Sequence, residues 1–529
     1  TPNPKPQTPS SQRPSPHLAK KRMSKSILQP FEEYQRARVK FAQTVADLST
    51  RPQNIEVLQK AGVMPLLRPL LLDSVPSIQQ TAALALGRLA TYSDGLAEEI
   101  VSCDVLPQLV YSLSSQNRFY KKAAAFVLRA VAKHSAALAQ TVVDSGALEA
   151  LVQCLEEFDP SVKENAAWAI AYVAKHSEDL ASSVVEAGAI PLLVLCVQEP
   201  EVALKKIAAT ALAEVCKHNA NMAQKLVDQR AVPFLTALIT HKDAQLKRQV
   251  CACLAQLAKH RQELAEELVS HNVFPKIFTL FKDGDPLVRK NAAMCVREIA
   301  KHSSDLSSTI CTAGGCAALV EYVSEASGPA RLPGVMTLGY IAAFDEQNAF
   351  AIINARGVAP LKEALAGEEE DHLRAAAAWT LGQLGAHSYN HARALAEADV
   401  LGQLLRAHGD ATASADLRKK AKKAFKGIVG MCPVHDALEP LVQQAPDALL
   451  VHILGQFRKI LPSDSNARKN FVMSGALRCV QAKAAAAAPK LRGCIEELNA
   501  LFPAEIVQYY SPDYADALIR RLDDGVSAA

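Results

Sequence analysis

Apolar positions along this chain recur in short helical phrases rather than in the alternating pattern of strands. Between Ser177 and His218, Leu180, Val184 and Val185 share one face of a short helix. Leu192, Leu195 and Cys196 keep the i, i+3, i+4 spacing of a second, and Val202 to Val215 reads as a longer third. Ser177 supplies a capping hydroxyl for the first helix and Gly188 the left-handed residue that ends it. Pro191 opens the second, and Glu199-Pro200 breaks it. The whole phrase then returns. His134, His176, His218, His260 and His302 close similar segments (VAKHS, VAKHS, VCKHN, LAKHR, IAKHS) 42 residues apart, with Tyr92 and Phe344 at the adjoining steps and His387 after a step of 43. Gly62, Asp104, Gly146, Gly188, Arg230, Asn272 and Gly314 form a second column with the same step of 42, continued by Gly357 after 43 and Asp399 after 42. A one-residue insertion is therefore expected between repeats near Phe344.

Three helices in about 42 residues is the armadillo pattern, since shorter repeats carry two. Small pairs near the start of the third helix (Ala82-Ala83, Ala124-Ala125, Ala166-Ala167, Ala208-Ala209, Ala292-Ala293) let successive third helices approach closely. One unit cannot bury its own apolar face. The expected fold is therefore all-α, an armadillo-repeat right-handed superhelical solenoid whose third helices line a concave surface. Residues 1–26, rich in Pro, Ser and basic side chains, are expected to be disordered. A helix from Ile27 containing Phe31, Tyr34 and Val39 caps repeats that run over 27–432. Residues 433–529 read as a degenerate helical C-terminal cap, with helices at Ala437–Gln443, Leu449–Ile460 and Ala467–Lys483, and with Ala484 to Ala488 as a helix or a linker.

Composition narrows the function. The 529 residues are 49% hydrophobic but only 5% aromatic, a mixture suited to closely packed helices. Lys and Arg number 58 against 54 acidic residues, a net +4 that argues against a general nucleic-acid binder or a membrane-surface protein. No apolar run reaches the roughly 20 residues needed to span a bilayer. The twelve cysteines are scattered and no signal-peptide pattern opens the chain, which fits a reducing cytosolic compartment. Cys251 with Cys253 and Cys311 with Cys316 are the closest pairs. Neither has a second pair at zinc-site spacing, so they read as small buried residues. Phosphate-binding glycine loops, G-x-S-x-G and H-E-x-x-H are absent, so no enzyme activity, cofactor or metal is expected. Successive members of the histidine column would stand about 10 Å apart, one helix spacing, which excludes a shared zinc. With Lys133, Lys175, Lys217, Lys259 and Lys301 before them, they read as basic caps of helix C-termini.

One position near the start of the third helix is basic in repeat after repeat: Lys121, Lys163, Lys205, Lys247, Arg289, Arg331 and Arg374. A cation there faces the positive end of the helix dipole, at a cost of roughly 0.3 to 1 kcal/mol, so its recurrence asks for an offsetting use. One use is binding an acidic extended strand. At about 3.3 Å per residue, every third residue of such a strand would meet a cation on the next helix, 8 to 10 Å away. The other is inter-repeat ion pairing with residues such as Glu156 or Glu199, the stems covering apolar edges.

Longer stretches carry a more specific resemblance. RPQNIEVLQKAGVMPLLRPLLLD (Arg51 to Asp73), IQQTAALALGRLA (Ile78 to Ala90), LPQLVYSLSSQNRFYKKAAAFVLRAVAKHS (Leu106 to Ser135) and CLEEFDPSVKENAAWAIAYVAKHS (Cys154 to Ser177) resemble the armadillo family of the axonemal central pair, the sperm-associated antigen six family. RLPGVMTLGYIAA (Arg331 to Ala343), AAAAWTLGQLGAHS (Ala375 to Ser388) and EIVQYYSPDYADAL (Glu505 to Leu518) extend the likeness from about Ile27 to near the end. The resemblance implies a microtubule-associated scaffold of the C1 central microtubule, in the cytoskeleton of a cilium or flagellum, needed for central-pair integrity and motility. It also implies tubulin, other central-apparatus proteins and further copies of the chain as partners, with tubulin's acidic tails as ligands suited to the basic column. Family members begin near Met23, so residues 1–22 stand apart. Nuclear import adaptors share the architecture but clamp basic peptides with a Trp and an Asn four residues on. Here only Trp168 and Trp379 occupy the Trp column, and the positions four later (Arg88, Ala130, Tyr172, Glu214, Gln256, Glu298, Tyr340, Gln383) hold no Asn. A signalling or transport adaptor for an extended acidic partner stays open as the rival.

Overall fold

The computed structural model describes residues 16–114, 117–514 and 519, and among these every regular element is a helix. The chain divides into two compact units, Thr1–Gln229 and Arg230–Ala529. The first holds complete three-helix repeats ending in third helices Pro76–Tyr92, Arg118–Ala132, Pro160–His176 and Val202–Cys216. In the second, the third helices are Ala244–Ala258, Pro286–Ala300, Leu332–Phe344, Asp371–Gly385 and Ala415–Met431. Within each unit successive third helices pack against one another. Ala82, Ala83, Ala124, Ala125, Ala166, Ala167, Ala292 and Ala293 are fully buried there, as close helix approach requires.

Local chemistry sets each element. Ser93, Ser135, Ser177 and Ser303 accept from the amides of Leu96, Leu138, Leu180 and Leu306, capping the first helices. The turn into the second helix is left-handed at Gly62, Gly146, Gly188 and Gly314, and also at Asp104, Arg230, Asn272 and Asp399. The inserted residue lies later than the glycine column placed it. After Gly314 the left-handed residue is Arg356 (φ 64°), whereas Gly357 is right-handed (φ −68°), so the extra residue falls between Arg356 and Arg374. Gly357 is needed for room instead: a Cβ there would lie 2.6 Å from Ile352 Cγ2.

The recurrent Lys-His pair ties repeats together. His134 Nε2 donates to Ala90 O at 2.6 Å, His176 to Ala132 O at 2.8 Å and His218 to Ala174 O at 2.7 Å in the first unit. His302 reaches Ala258 O at 2.7 Å and His387 reaches Ala342 O at 2.5 Å in the second. Lys217 Nζ adds a bond to Lys175 O at 2.7 Å. These carbonyls end the third helix of the preceding repeat, not the helix that carries the histidine, so the capping expected from sequence operates between repeats. Replacing His176 by Ala strands the Ala132 carbonyl and is expected to lower unfolding free energy by about 1–2 kcal/mol, read from urea denaturation.

Both ends differ from expectation. The first helix spans Pro16–Leu48 rather than starting at Ile27, and residues 1–15 lie outside the described ones. Leu18 to Met23 are good helix formers, and Pro16 is tolerated in a first turn. This helix does pack on Pro76–Tyr92. It does so through Ala42, Val45 and Ala46, while Phe31, Tyr34 and Val39 are exposed. Arg88 donates to Ala46 O, and Arg38 pairs with the buried Asp73.

At the other end, helices His435–Gln444 and Asp447–Ile460 follow Met431 almost directly. That repeat has no separate first helix, which is why the 42-residue register fades after Pro433. The helix expected over Ala467–Lys483 is two, Ser465–Met473 and Ala476–Ala484, broken at left-handed Gly475 (φ 79°). With Pro489–Asn499 they make another three-helix repeat, and Ala485 to Ala488 are its connection.

Candidate partner-binding surface

The basic column occupies the first turn of the third helices, except that Arg331 stands at the N-cap of its helix, and the structure shows where its charge goes. Lys121 Nζ lies 2.5 Å from Glu157 and Lys163 Nζ 2.5 Å from Glu199. Lys247 pairs with Asp283, Arg331 with Glu368 at 2.9 Å, and Arg374 with Asp371 at 3.0 Å and Asp410 at 3.6 Å. Arg289 instead donates to the Asp283 carbonyl at 2.7 Å. For Lys205 the position matching Glu199 is His241, not a carboxylate. Except for Asp371, which shares a helix with Arg374, the carboxylate partners precede the third helix of the next repeat. Glu199 is thus the partner expected from sequence, whereas Lys121 takes Glu157 rather than Glu156. These pairs are largely sheltered: the side chains of Lys247 and Asp283 are 12% and 13% exposed.

Burial pushes the Asp283 carboxyl up, but the Lys247 ammonium and the Asp285 amide outweigh it and hold it below its ordinary value. Asp285 is held at about 2, first by the Arg248 guanidinium and then, against some desolvation, by the Val288 and Leu287 amides it caps. Carboxyls depressed in the folded state stabilise fully above their unfolded pKa of about 4 and lose that contribution as pH falls through the folded values. Acid titration followed by circular dichroism is therefore expected to show stability falling between about pH 4 and 2, with Asp285→Asn flattening that slope.

A different cationic surface lies on the Ala415–Met431 helix, off the repeat column. It carries Arg418, Lys419, Lys420, Lys422, Lys423 and Lys426 against a single carboxylate, Asp416, which pairs with Lys420 at 2.8 Å. The other cations of this helix have no carboxylate partner among the described residues. Like charges three or four residues apart on a helix cost roughly 0.2–0.5 kcal/mol per pair, and Lys419–Lys423, Lys422–Lys426, Lys419–Lys422 and Lys423–Lys426 are such pairs. The opposite face is apolar and buried, with Leu417, Ala421, Phe425, Ile428 and Val429 against the core. Beside the stripe, a cavity of about 170 Å³ opens between this helix and Asp371–Gly385, lined by Trp379, Gln383, Ala386, Lys420, Lys423 and Gly427. Gly382 lets the two helices meet: a Cβ there would lie 2.7 Å from Ala424 Cβ. Burial, with Lys426, Lys490 and Lys422 nearby, lowers the pKa of His452 on the adjoining helix. The run RKKAKKAFK was visible in the sequence, but a search keyed to the 42-residue register passes over it.

The first unit offers an aromatic surface instead. Arg129 lies over the Trp168 ring at 4.9 Å, Trp168 stacks on Tyr172 at 5.4 Å, and Phe126 and Asn165 line an adjoining cavity of about 400 Å³.

Among the described residues, one histidine–carboxylate group has metal-like spacing: His435, Asp436 and Glu439, with ligand atoms within 4.8 Å of one another. His435 Nδ1 lies 2.8 Å from Asp436 and 3.6 Å from Glu439, and burial raises the Glu439 carboxyl. Cys251 and Cys253 are buried as expected. Cys311 and Cys316 are closer than the sequence suggested, with Sγ atoms 2.7 Å apart. That hydrogen bond lowers the Cys311 thiol and raises Cys316, whereas burial and Glu99 raise Cys103. Iodoacetamide at pH 8 is expected to modify Cys311 ahead of Cys103, as peptide mapping would read.

Comparison with known proteins agrees with this architecture. Residues 51–91 and 135–175 match the Armadillo/beta-catenin-like repeat, and residues 273–303 match the HEAT repeat. The chain is 66% identical over 499 residues to sperm-associated antigen 6 of Homo sapiens, covering 94% of this chain and 98% of that protein. The Mus musculus protein of the same name matches with the same identity and coverage. The crystal structure of an engineered protein, 21% identical, superposes with a TM-score of 0.67 over 83% of this chain and 98% of its own, and shares the fold.

Proposed function

The chain belongs to the sperm-associated antigen 6 family, and from that premise we propose that it is a structural scaffold of the central apparatus in a motile cilium or flagellum. It binds the C1 microtubule and neighbouring central-apparatus proteins, associates with further copies of itself, and maintains central-pair integrity. The observation that carries this reading is 66% identity over 94% of the chain. The armadillo architecture supports it, because stacked repeats present extended surfaces for protein partners. In this reading the basic column chiefly fixes the repeat register. Acidic tails of tubulin engage it only by displacing Glu157, Glu199 or Asp283, or at Lys205.

The test is retention. After detergent extraction of motile cilia, the protein stays with the axoneme and immunogold places it on the central pair. Release into the detergent fraction would favour the rival, a signalling or transport adaptor for an extended acidic partner, and overturn the axonemal reading. Co-sedimentation with intact microtubules and with microtubules stripped of their acidic tails then separates tail binding from contact with the lattice. Tail binding falls with salt.

A further inference from the structure

We propose that the Ala415–Met431 helix and the cleft beside it form a docking site for an extended, acidic segment of a partner protein, with one apolar side chain of that segment seated against Trp379. Elsewhere the structure provides a carboxylate for most cations of the repeat column: Glu157, Glu199, Asp283, Glu368 and Asp410. Here, among the described residues, it provides Asp416 alone. The stretch Arg374 to Gly385 across the cleft contains no acidic residue either. Carboxylates that would balance this charge must come from outside the helix pair, and that complementarity identifies the occupant.

Spacing fits an extended strand. Lys419, Lys423 and Lys426 follow one another at i, i+4 and i+7 on the solvent side of the helix. At about 1.5 Å per residue, Lys419 and Lys426 stand roughly 10 Å apart along the axis, which three residues of extended chain cover at about 3.3 Å each. Lys490 continues the positive potential past the helix, and together with burial, Lys426 and Lys422 it favours the neutral form of His452 beside it. The cleft adds what a purely electrostatic contact lacks. Tyr340 holds the Trp379 indole edge-on at 5.3 Å, and Lys420 and Lys423 flank the opening. Gly427 leaves the floor bare, since a Cβ there would touch nothing nearer than Ala386 Cβ at 3.6 Å. An apolar floor between two ammonium groups suits a peptide that alternates carboxylates with a leucine-sized side chain, and suits a phosphodiester backbone or a lipid headgroup less well. This site stands independently of the axonemal reading, because its ligand can be tested without microtubules.

The experiment is fluorescence anisotropy of the full chain with a fluorescein-labelled peptide of about eight residues, glutamates around one central leucine, a length that spans the helix. Binding is expected to weaken as salt rises. It should fall at least tenfold in the triple variant Lys419→Glu/Lys423→Glu/Lys426→Glu, with helical content and melting temperature retained. In Gly427→Leu, which plugs the cleft, the leucine peptide should lose its advantage over an all-glutamate peptide while salt-dependent binding persists. No binding by the wild-type chain, or equal binding by the triple variant, overturns the proposal. So does tighter, stripe-dependent binding of phosphatidylserine vesicles or of a single-stranded oligonucleotide, which would assign the surface to that ligand.

Discussion

Gly339→Val is expected to destabilise the second unit by more than about 3 kcal/mol, with the transition in urea moving to much lower concentration or the folded protein not recovered at all. A helix-interior glycine normally costs about 0.5–1 kcal/mol relative to alanine, so adding a side chain should help. At Gly339, in the Leu332–Phe344 helix, the sign reverses. A Cβ there would lie 2.1 Å from Trp379 Cζ3 and 2.6 Å from Thr380 Oγ1 on the next third helix. Neither neighbour can yield cheaply: Tyr340 packs against the indole, and buried Thr380 donates to Val335 O at 3.0 Å. The two helices must separate, and because each repeat is stable only against its neighbours, the damage spreads. Gly455→Ala is the matched control. It lies inside Asp447–Ile460, where a Cβ would meet nothing within 4 Å, so a gain of about 0.5–1 kcal/mol is expected there. A neutral or stabilising Gly339→Ala would show that the helices slide apart easily and that glycine does not set their spacing.

Gly339 illustrates how much of this protein the sequence discloses. The period, the three helices per repeat and the armadillo class follow from columns of His, Gly and paired Ala, because each meets a local demand that recurs unchanged. The partner of a recurring side chain is less legible. His176 looks like a cap for the helix that ends at it, yet its acceptor is Ala132, 44 residues earlier. Lys163 looks free to meet a ligand, yet Glu199, 36 residues later, is brought back to it by the stacking of repeats. Such pairings depend on the rise and rotation between repeats, which no single repeat encodes. Departures from the period are harder again. The left-handed turn moves to Arg356 beside a glycine that fills the column by type, and the helix pair after Met431 hides a repeat by omitting a separate first helix. The lysine stripe is readable as composition, but its lack of carboxylate partners beyond Asp416, among the described residues, shows only in the structure.

That distinction decides how the basic column should be tested. Lys247→Glu is expected to cost about 3 kcal/mol, the lower end of the range for breaking a sheltered ion pair, because it leaves Asp283 facing a second carboxylate where both side chains are almost nine-tenths buried. The swap Lys247→Glu/Asp283→Lys should recover most of the loss, since it restores opposite charges across the same contact, and Lys247→Met should fall between the two. Under the proposed microtubule reading, reversing Lys163, Lys205 and Lys247 together would therefore lower co-sedimentation by loosening the repeats, whether or not those cations touch tubulin. Only the swapped pair separates the roles. If it regains stability and still fails to bind, the Lys247 charge serves a partner directly. If it regains both, the column holds the repeats in register and partner contact lies elsewhere. A Lys247→Glu variant as stable as wild type would mean the ion pair contributes nothing and the column is free for a ligand after all.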